Sequence, residues 1–179
     1  MNGISRIIWW YQFYIRKIPI KWYFFLIILG FASAVILIKM NLRRKKAIVL
    51  WMVIEYYLLI LVSTVFSRSR NLKRSYDLNF FNFVDKIYNG NIDNRFEVYL
   101  NILMLMPIGI LLCVIYKEIH SIVSCLFLSL IIEFLQLIFY RGSFEISDLI
   151  MNTFGAMLGC VIYRMCFCFI NIFLHNKHV

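Results

Sequence analysis

The stretch Ser121–Tyr140, "SIVSCLFLSLIIEFLQLIFY", holds thirteen Ile, Val, Leu and Phe residues and a single carboxylate, Glu133. A helix of about 20 apolar residues crosses the roughly 30 Å hydrocarbon core of a bilayer. Comparable runs lie at about Trp22–Lys39, Ala47–Phe66, Val98–Tyr116 and Leu149–Ile172. A soluble domain is roughly 45–50% apolar, whereas this chain is 63% hydrophobic. Barrel strands would be shorter and would alternate in polarity. These runs predict an all-α, multi-pass integral membrane protein, a bundle of about five transmembrane helices.

The remaining segments divide the chain. Residues 1–21 have a short apolar core rich in Trp and Tyr, broken by Gln12 and Pro19 and flanked by Arg6, Arg16, Lys17 and Lys21. With no small-residue cleavage site, they read as an N-terminal interfacial amphipathic helix rather than a signal peptide. The division is 1–46 for this helix, an extra span and a basic loop, 47–172 for the main transmembrane domain, and 173–179 for a polar tail. The net charge of +10 falls mostly between spans. That placement points to anionic headgroups and topology determinants, not nucleic acid. The basic 39–46 segment is expected in the cytoplasm, which puts 67–97 outside and the C-terminus inside a bacterial cytoplasmic membrane. Within 67–97, Arg68, Arg70, Lys73 and Arg74 precede "YDLNFFNFV". This suits a headgroup surface, with Asn79, Phe80, Phe81 and Phe83 dipping back into the interface; it equally suits a solvated loop. All five cysteines sit in apolar runs. Neither they nor the histidines make a disulfide framework or a metal-ligand pattern. No metal and no cofactor are expected.

Three consecutive spans joined by short links must alternate in direction. The start of the third span, the end of the fourth and the start of the fifth therefore share one membrane face. Asn101, Glu133, Gln136 and Asn152 then all lie within roughly 5–11 Å of that face, given the helical rise. Glu133 and Gln136, at i and i+3, share one side of their helix. Asp148, Asn152, Gly155 and Gly159 share one side of theirs. Gly155-Ala-Met-Leu-Gly159 is a GxxxG motif, which lets helix backbones approach closely. Pro107 and Gly109 are expected to kink the third span and free a carbonyl.

A carboxylate at a helix centre costs about 2.5–3.5 kcal/mol on the insertion scale, and each Ile, Leu, Phe or Val offsets about 0.3–0.6. The fourth span therefore tolerates Glu133. Tolerance is not a reason to keep it, and ionisable groups in a membrane mark functional sites by default. The candidate set is Asn101, Glu133, Gln136, Arg141, Asp148 and Asn152, with Pro107, Gly109, Gly155 and Gly159 as packing residues. Its bland counterpart is a hydrogen-bond network that only locks helices together. Glu55 stands alone on the second span with no evident partner.

The segments "NILMLMPIGILL" at 101–112 and "IIEFLQLIFYRGSFEISDLIMNTFGAMLG" at 131–159 resemble the VanZ-like family of bacterial membrane proteins. The shared positions are Asn101, Pro107, Gly109, Glu133, Gln136, Arg141, Asp148, Asn152, Thr153, Gly155 and Gly159, over about residues 47–165. The Met104–Met106 stretch replaces the Phe that the family has before its Pro, and "LNFF" at 78–81 lacks the family's proline. The resemblance implies a cell-envelope protein of a family named for a member linked to glycopeptide (teicoplanin) resistance. It brings no settled catalytic mechanism.

Two function classes remain. One is a non-enzymatic protein that binds membrane lipids or a lipid-linked envelope precursor at an outer-leaflet cluster. The other is an enzyme acting on a lipid-linked phosphate or sugar, with Glu133 or Asp148 as acid or base and Arg141 holding an anionic headgroup. Transport lacks any inverted repeat to support it. The oligomeric state is open.

Overall fold

The computed structural model describes Ile28, Leu29, Ser33 and residues 43–66 and 68–175. In chain order the continuous stretches form α1 (Arg44–Leu61), a π-type continuation (Val62–Phe66), β1 (Ser75–Asp77), α2 (Asn82–Tyr88), α3 (Ile92–Cys113), α4 (Glu118–Phe139), β2 (Ser143–Glu145) and α5 (Ile146–His175). Among the described residues, four helical stretches are long and apolar enough to cross a membrane: Arg44–Phe66, Ile92–Cys113, Glu118–Phe139 and Ile146–Asn171. The architecture is the expected all-α membrane type. The predicted interfacial helix at 1–21, nearly all of the predicted first span and residues 176–179 of the predicted tail lie outside the described residues.

Helix ends differ from the sequence reading in an informative way. The third span was expected from about Val98, but α3 begins at Ile92. Asn91 caps it: its side-chain oxygen accepts from the Asn94 N–H at 2.9 Å, and Asp93 sits in the first turn. Both satisfy and complement the N-terminal N–H groups. The first turns of α3 therefore bring Glu97 into the helix. Likewise α5 starts at Ile146 rather than about Leu149 and runs on to His175. The stretch between α4 and α5 is more than the simple turn expected: β2 pairs with β1 in a two-stranded sheet.

The described residues fall into two compact units. One contains those up to Ser75 together with Leu135–Ser143. Here Glu55 gains a partner that the sequence did not name, because Ser33 donates its hydroxyl to Glu55 Oε1 at 3.2 Å. Tyr140 takes the left-handed conformation, with φ 58°, and its carbonyl accepts from the Asn71 N–H at 2.6 Å. The guanidinium groups of Arg70 and Arg74 lie 5.4 and 4.8 Å from the centre of its ring, within cation–π range.

The other unit contains Tyr76–Phe134 and the described residues from Phe144 on. Its centre is the contact between α3 and α5. A β-carbon added at Gly155 would collide with the Ile102 carbonyl oxygen, one at Gly159 with the Met106 carbonyl oxygen, and one at Gly109 with the Ala156 carbonyl oxygen. The pairs step in the same direction along both helices, from 102 with 155 to 106 with 159, so α3 and α5 run parallel. Lipid offers no hydrophobic drive for helices to associate. Close backbone approach and interhelical hydrogen bonds supply the contact energy instead. Leu105, Ile108 and Ala156 are fully buried along this seam. The Cys113 and Cys160 sulfurs approach to 2.8 Å as free thiols. Pro107 lies inside α3; it cannot donate to the Leu103 carbonyl, yet the helix continues to Cys113. On the outward faces Phe127, Ile131, Phe154, Met157 and Val161 are exposed, as lipid-facing residues must be.

Candidate functional site

The parallel start of α3 and α5 carries a concentration of charge. Lys86, from the short helix α2, reaches Glu145 Oε2 at 2.7 Å, Glu97 Oε2 at 3.2 Å and Asp148 Oδ1 at 3.7 Å. Its side chain is only 12% exposed. Burial opposes the Lys86 ammonium. The charge of Asp148, the hydrogen bond to Glu145 and the charge of Glu97 together outweigh that penalty, and its pKa is held above the ordinary lysine value. Lys86 therefore stays charged throughout the physiological range. The carboxylates around it outnumber it three to one.

Neighbouring polar groups fix the arrangement. Asn82, at the start of α2, donates from Nδ2 to Asp77 Oδ2 at 2.6 Å and more weakly to Glu145 Oε2 at 3.4 Å. Glu133, 2% exposed on α4, accepts the Glu145 backbone N–H on Oε2 at 3.0 Å. A carboxylate from the fourth span thus holds the strand that precedes α5. One turn further into α5, fully buried Asn152 donates from Nδ2 to Ser129 Oγ at 2.8 Å. That bond crosses from α5 to α4.

Among the described residues, two buried polar side-chain atoms remain unsatisfied, Asn152 Oδ1 and Asn101 Nδ2. The Asn101 amide faces the Asp148 carboxylate as a hydrogen-bond partner, in a geometry short of a completed bond from Nδ2. The Asn152 amide oxygen thus stands open at the helix ends where the Asn101 amide leans on Asp148. Buried polar groups are nearly always paired, and an unpaired one costs roughly 1–3 kcal/mol.

Of the six residues expected in the site, Asn101, Glu133, Asp148 and Asn152 lie in this unit with the charged cluster. Gln136 and Arg141 belong to the other unit. Arg141 donates from Nη1 to the Phe66 carbonyl at 2.7 Å and also to the Arg68 carbonyl. Its N–H reaches the Gln136 carbonyl at 2.9 Å. Gln136 packs its side chain over Gly142, where an added β-carbon would meet Gln136 Oε1 at 2.7 Å. Arg141 in this arrangement organises backbone.

Sequence reasoning missed Lys86, Glu97 and Glu145. Glu97 was within reach: Asn91 followed by Asp93 is a helix-start signal, and a helix begun there puts Glu97 and Asn101 at i and i+4 on one face. Lys86 had no such signal, because α2 is too short to show a period. Among the described residues no cluster of His, Cys, Asp and Glu has the makings of a metal site.

No solved structure matches the chain. A curated relative, "Protein VanZ" of Enterococcus faecium, is 37% identical over 86 residues, which are 46% of this chain and 48% of that protein. The chain thus spans about half the length of the curated relative it matches. The family model for VanZ/LLP1 matches residues 47–169. That range runs from the start of α1 into the last turns of α5 and contains every residue of the charged cluster. Over its greater part, and with four helices able to span a bilayer, this chain is a membrane protein of the VanZ/LLP1 family.

Proposed function

We propose that this protein is a cell-envelope lipid-binding protein of the bacterial cytoplasmic membrane. The polar cluster at the start of α3 and α5 receives the head of a membrane lipid or lipid-linked envelope precursor on the outer leaflet. The observation that carries this reading is the buried ion cluster of Lys86 and its three carboxylates, with the incompletely bonded amides of Asn101 and Asn152 beside it. A network built only to lock helices would close its own donors and acceptors, since a half-satisfied buried network is worse than an apolar one. Here, among the described residues, the Asn152 oxygen lacks a partner and the Asn101 donor is held only loosely by Asp148.

The ion cluster supports the same reading. Taking charges out of water costs several kcal/mol per ion, and apolar residues would have joined α2 to α3 and α5 more cheaply. A head bearing hydroxyl or ammonium groups finds acceptors in Glu97, Glu145 and Asp148. A phosphate finds Lys86. Binding of an envelope precursor would alter how a glycopeptide such as teicoplanin reaches its target, and this is the route by which the family's resistance link would extend to this chain.

The test is Asp148→Asn in protein reconstituted with envelope lipids. The expected result is loss of selective lipid retention on purification, with the melting midpoint unchanged. Retention of the same lipids by wild type and variant contradicts the reading. Turnover of a lipid-linked substrate that stops in Glu133→Gln would replace binding with catalysis.

A further inference from the structure

The segment leading into α2 carries large apolar side chains on its surface. Leu78 and Phe80 are each 57% exposed and Phe81 is 72% exposed. These residues precede the first membrane-crossing residue of α3, so they lie outside the spans rather than on a lipid-facing helix wall. With Phe83 and Ile150 they line an open groove of about 520 Å³, to which Asn79 is the polar contributor. That volume lies within the range of roughly 300–1,000 Å³ common for ligand sites.

The backbone around the groove is fixed. Asn79 accepts the Phe81 N–H on its side chain at 3.0 Å, and Asp77 accepts the Asn79 N–H at 2.9 Å. These turns hold Phe80 and Phe81 out from the chain instead of folding them inward. The apolar wall and the charged one share α2, where Phe83 and Lys86 stand at i and i+3 on one side of the helix. An apolar trough thus runs up to a polar cluster at the end where α3 and α5 enter the membrane.

We infer that this trough is the tail site of the lipid-binding cluster: one acyl chain of a two-chain glycerolipid lies along Leu78, Phe80, Phe81, Phe83 and Ile150, and its head reaches Lys86 and Asp148. The inference rests on the reading above and adds the ligand class. The groove is open along one side and sits at the mouth of the spans, so it fills from the bilayer itself. An acyl chain covers the exposed aromatic side chains without asking Asn79 for more than its turn. The adjoining polar wall explains why the occupant is an amphiphile and not a second protein.

The experiment uses the full chain in nanodiscs of phosphatidylcholine doped with a phosphatidylethanolamine whose tail carries a diazirine. After irradiation, peptide mass spectrometry locates the labelled residues. The expected result is labelling concentrated at 78–83 and 150, removed by excess unlabelled phosphatidylethanolamine and by Ile150→Trp, which fills the trough. Phe80→Ser, at a half-exposed loop position, gives the same loss without touching a helix. Labelling spread evenly over the outward helix faces, or untouched by competitor, overturns the tail site. A polyprenyl phosphate competing where the glycerolipid does not also overturns it. Lipid selectivity that depends on Asp148 but labels elsewhere defeats the groove and leaves the head cluster standing. No selectivity of any kind defeats both.

Discussion

Between Ile102 and Cys160 the parallel helices α3 and α5 meet backbone to backbone, with Gly109, Gly155 and Gly159 each facing the partner helix. At their N-terminal ends the same two helices carry Glu97, Asn101, Asp148 and Asn152 and receive Lys86 from α2. The seam is closed: nothing larger than a hydrogen atom fits at its contact points. At the polar end, among the described residues, the Asn152 amide oxygen lacks a partner and Asn101 Nδ2 makes no completed hydrogen bond. The difference separates the tightly packed part of the two helices from their charged part. Packing along the seam fixes the register of the two helices, and that register brings their first turns, with Asn101, Asp148 and Asn152, side by side.

Substitutions can break this division, and the largest effect belongs at the seam. Gly155→Leu forces a side chain against the Ile102 carbonyl oxygen, a backbone atom that cannot give way. Overpacking costs typically 1–3 kcal/mol, and with backbone as the obstacle a loss of about 3 kcal/mol is expected. Thermal unfolding in detergent or nanodiscs would measure it, and a melting midpoint equal to wild type would mean the helices do not approach as described.

Lys86→Met tests the polar end as structure. It leaves Glu97, Glu145 and Asp148 facing one another without their cation. Breaking a buried ion pair from one side costs about 3–5 kcal/mol. Glu97 is 36% exposed and is relieved by solvent, so about 2 kcal/mol is expected, below the seam variant. Removing a carboxylate is milder. Asp148→Asn leaves Lys86 with Glu145 and Glu97, and stability should change by less than about 1 kcal/mol, in keeping with a partly compensated pair. At the far end of the helices, Arg164 pairs with Glu118 at the exposed surface. Arg164→Gln should leave the melting midpoint where it is.

Much of this was readable in the residues. The spans were legible because about 20 apolar residues in a row have few other fates. The GxxxG motif at Gly155 and Gly159 marked the face of α5 that packs. Connection lengths alone grouped Asn101, Glu133, Gln136 and Asn152; the structure holds Asn101, Glu133 and Asn152 in one unit and Gln136 in the other. The structure added what short segments hide. Asn91 starts α3 before its apolar run begins, and this brings Glu97 onto the face of Asn101. Helix α2 is seven residues long, too few for periodicity to reveal Lys86. The assignment of Arg141 to a ligand rested on its charge and its nearness in sequence. Its Nη1 donates to the local carbonyls at Phe66 and Arg68, and no sequence pattern encodes that contact.

The central claim is that the open polar end binds a lipid head while the closed seam carries the stability. Native mass spectrometry of wild type and Asp148→Asn, released from nanodiscs made with bacterial envelope lipids, tests it most directly. Wild type should retain a defined lipid and the variant should lose it, with equal melting midpoints. Equal retention by both, or lipid loss that merely follows unfolding of the variant, would contradict the account.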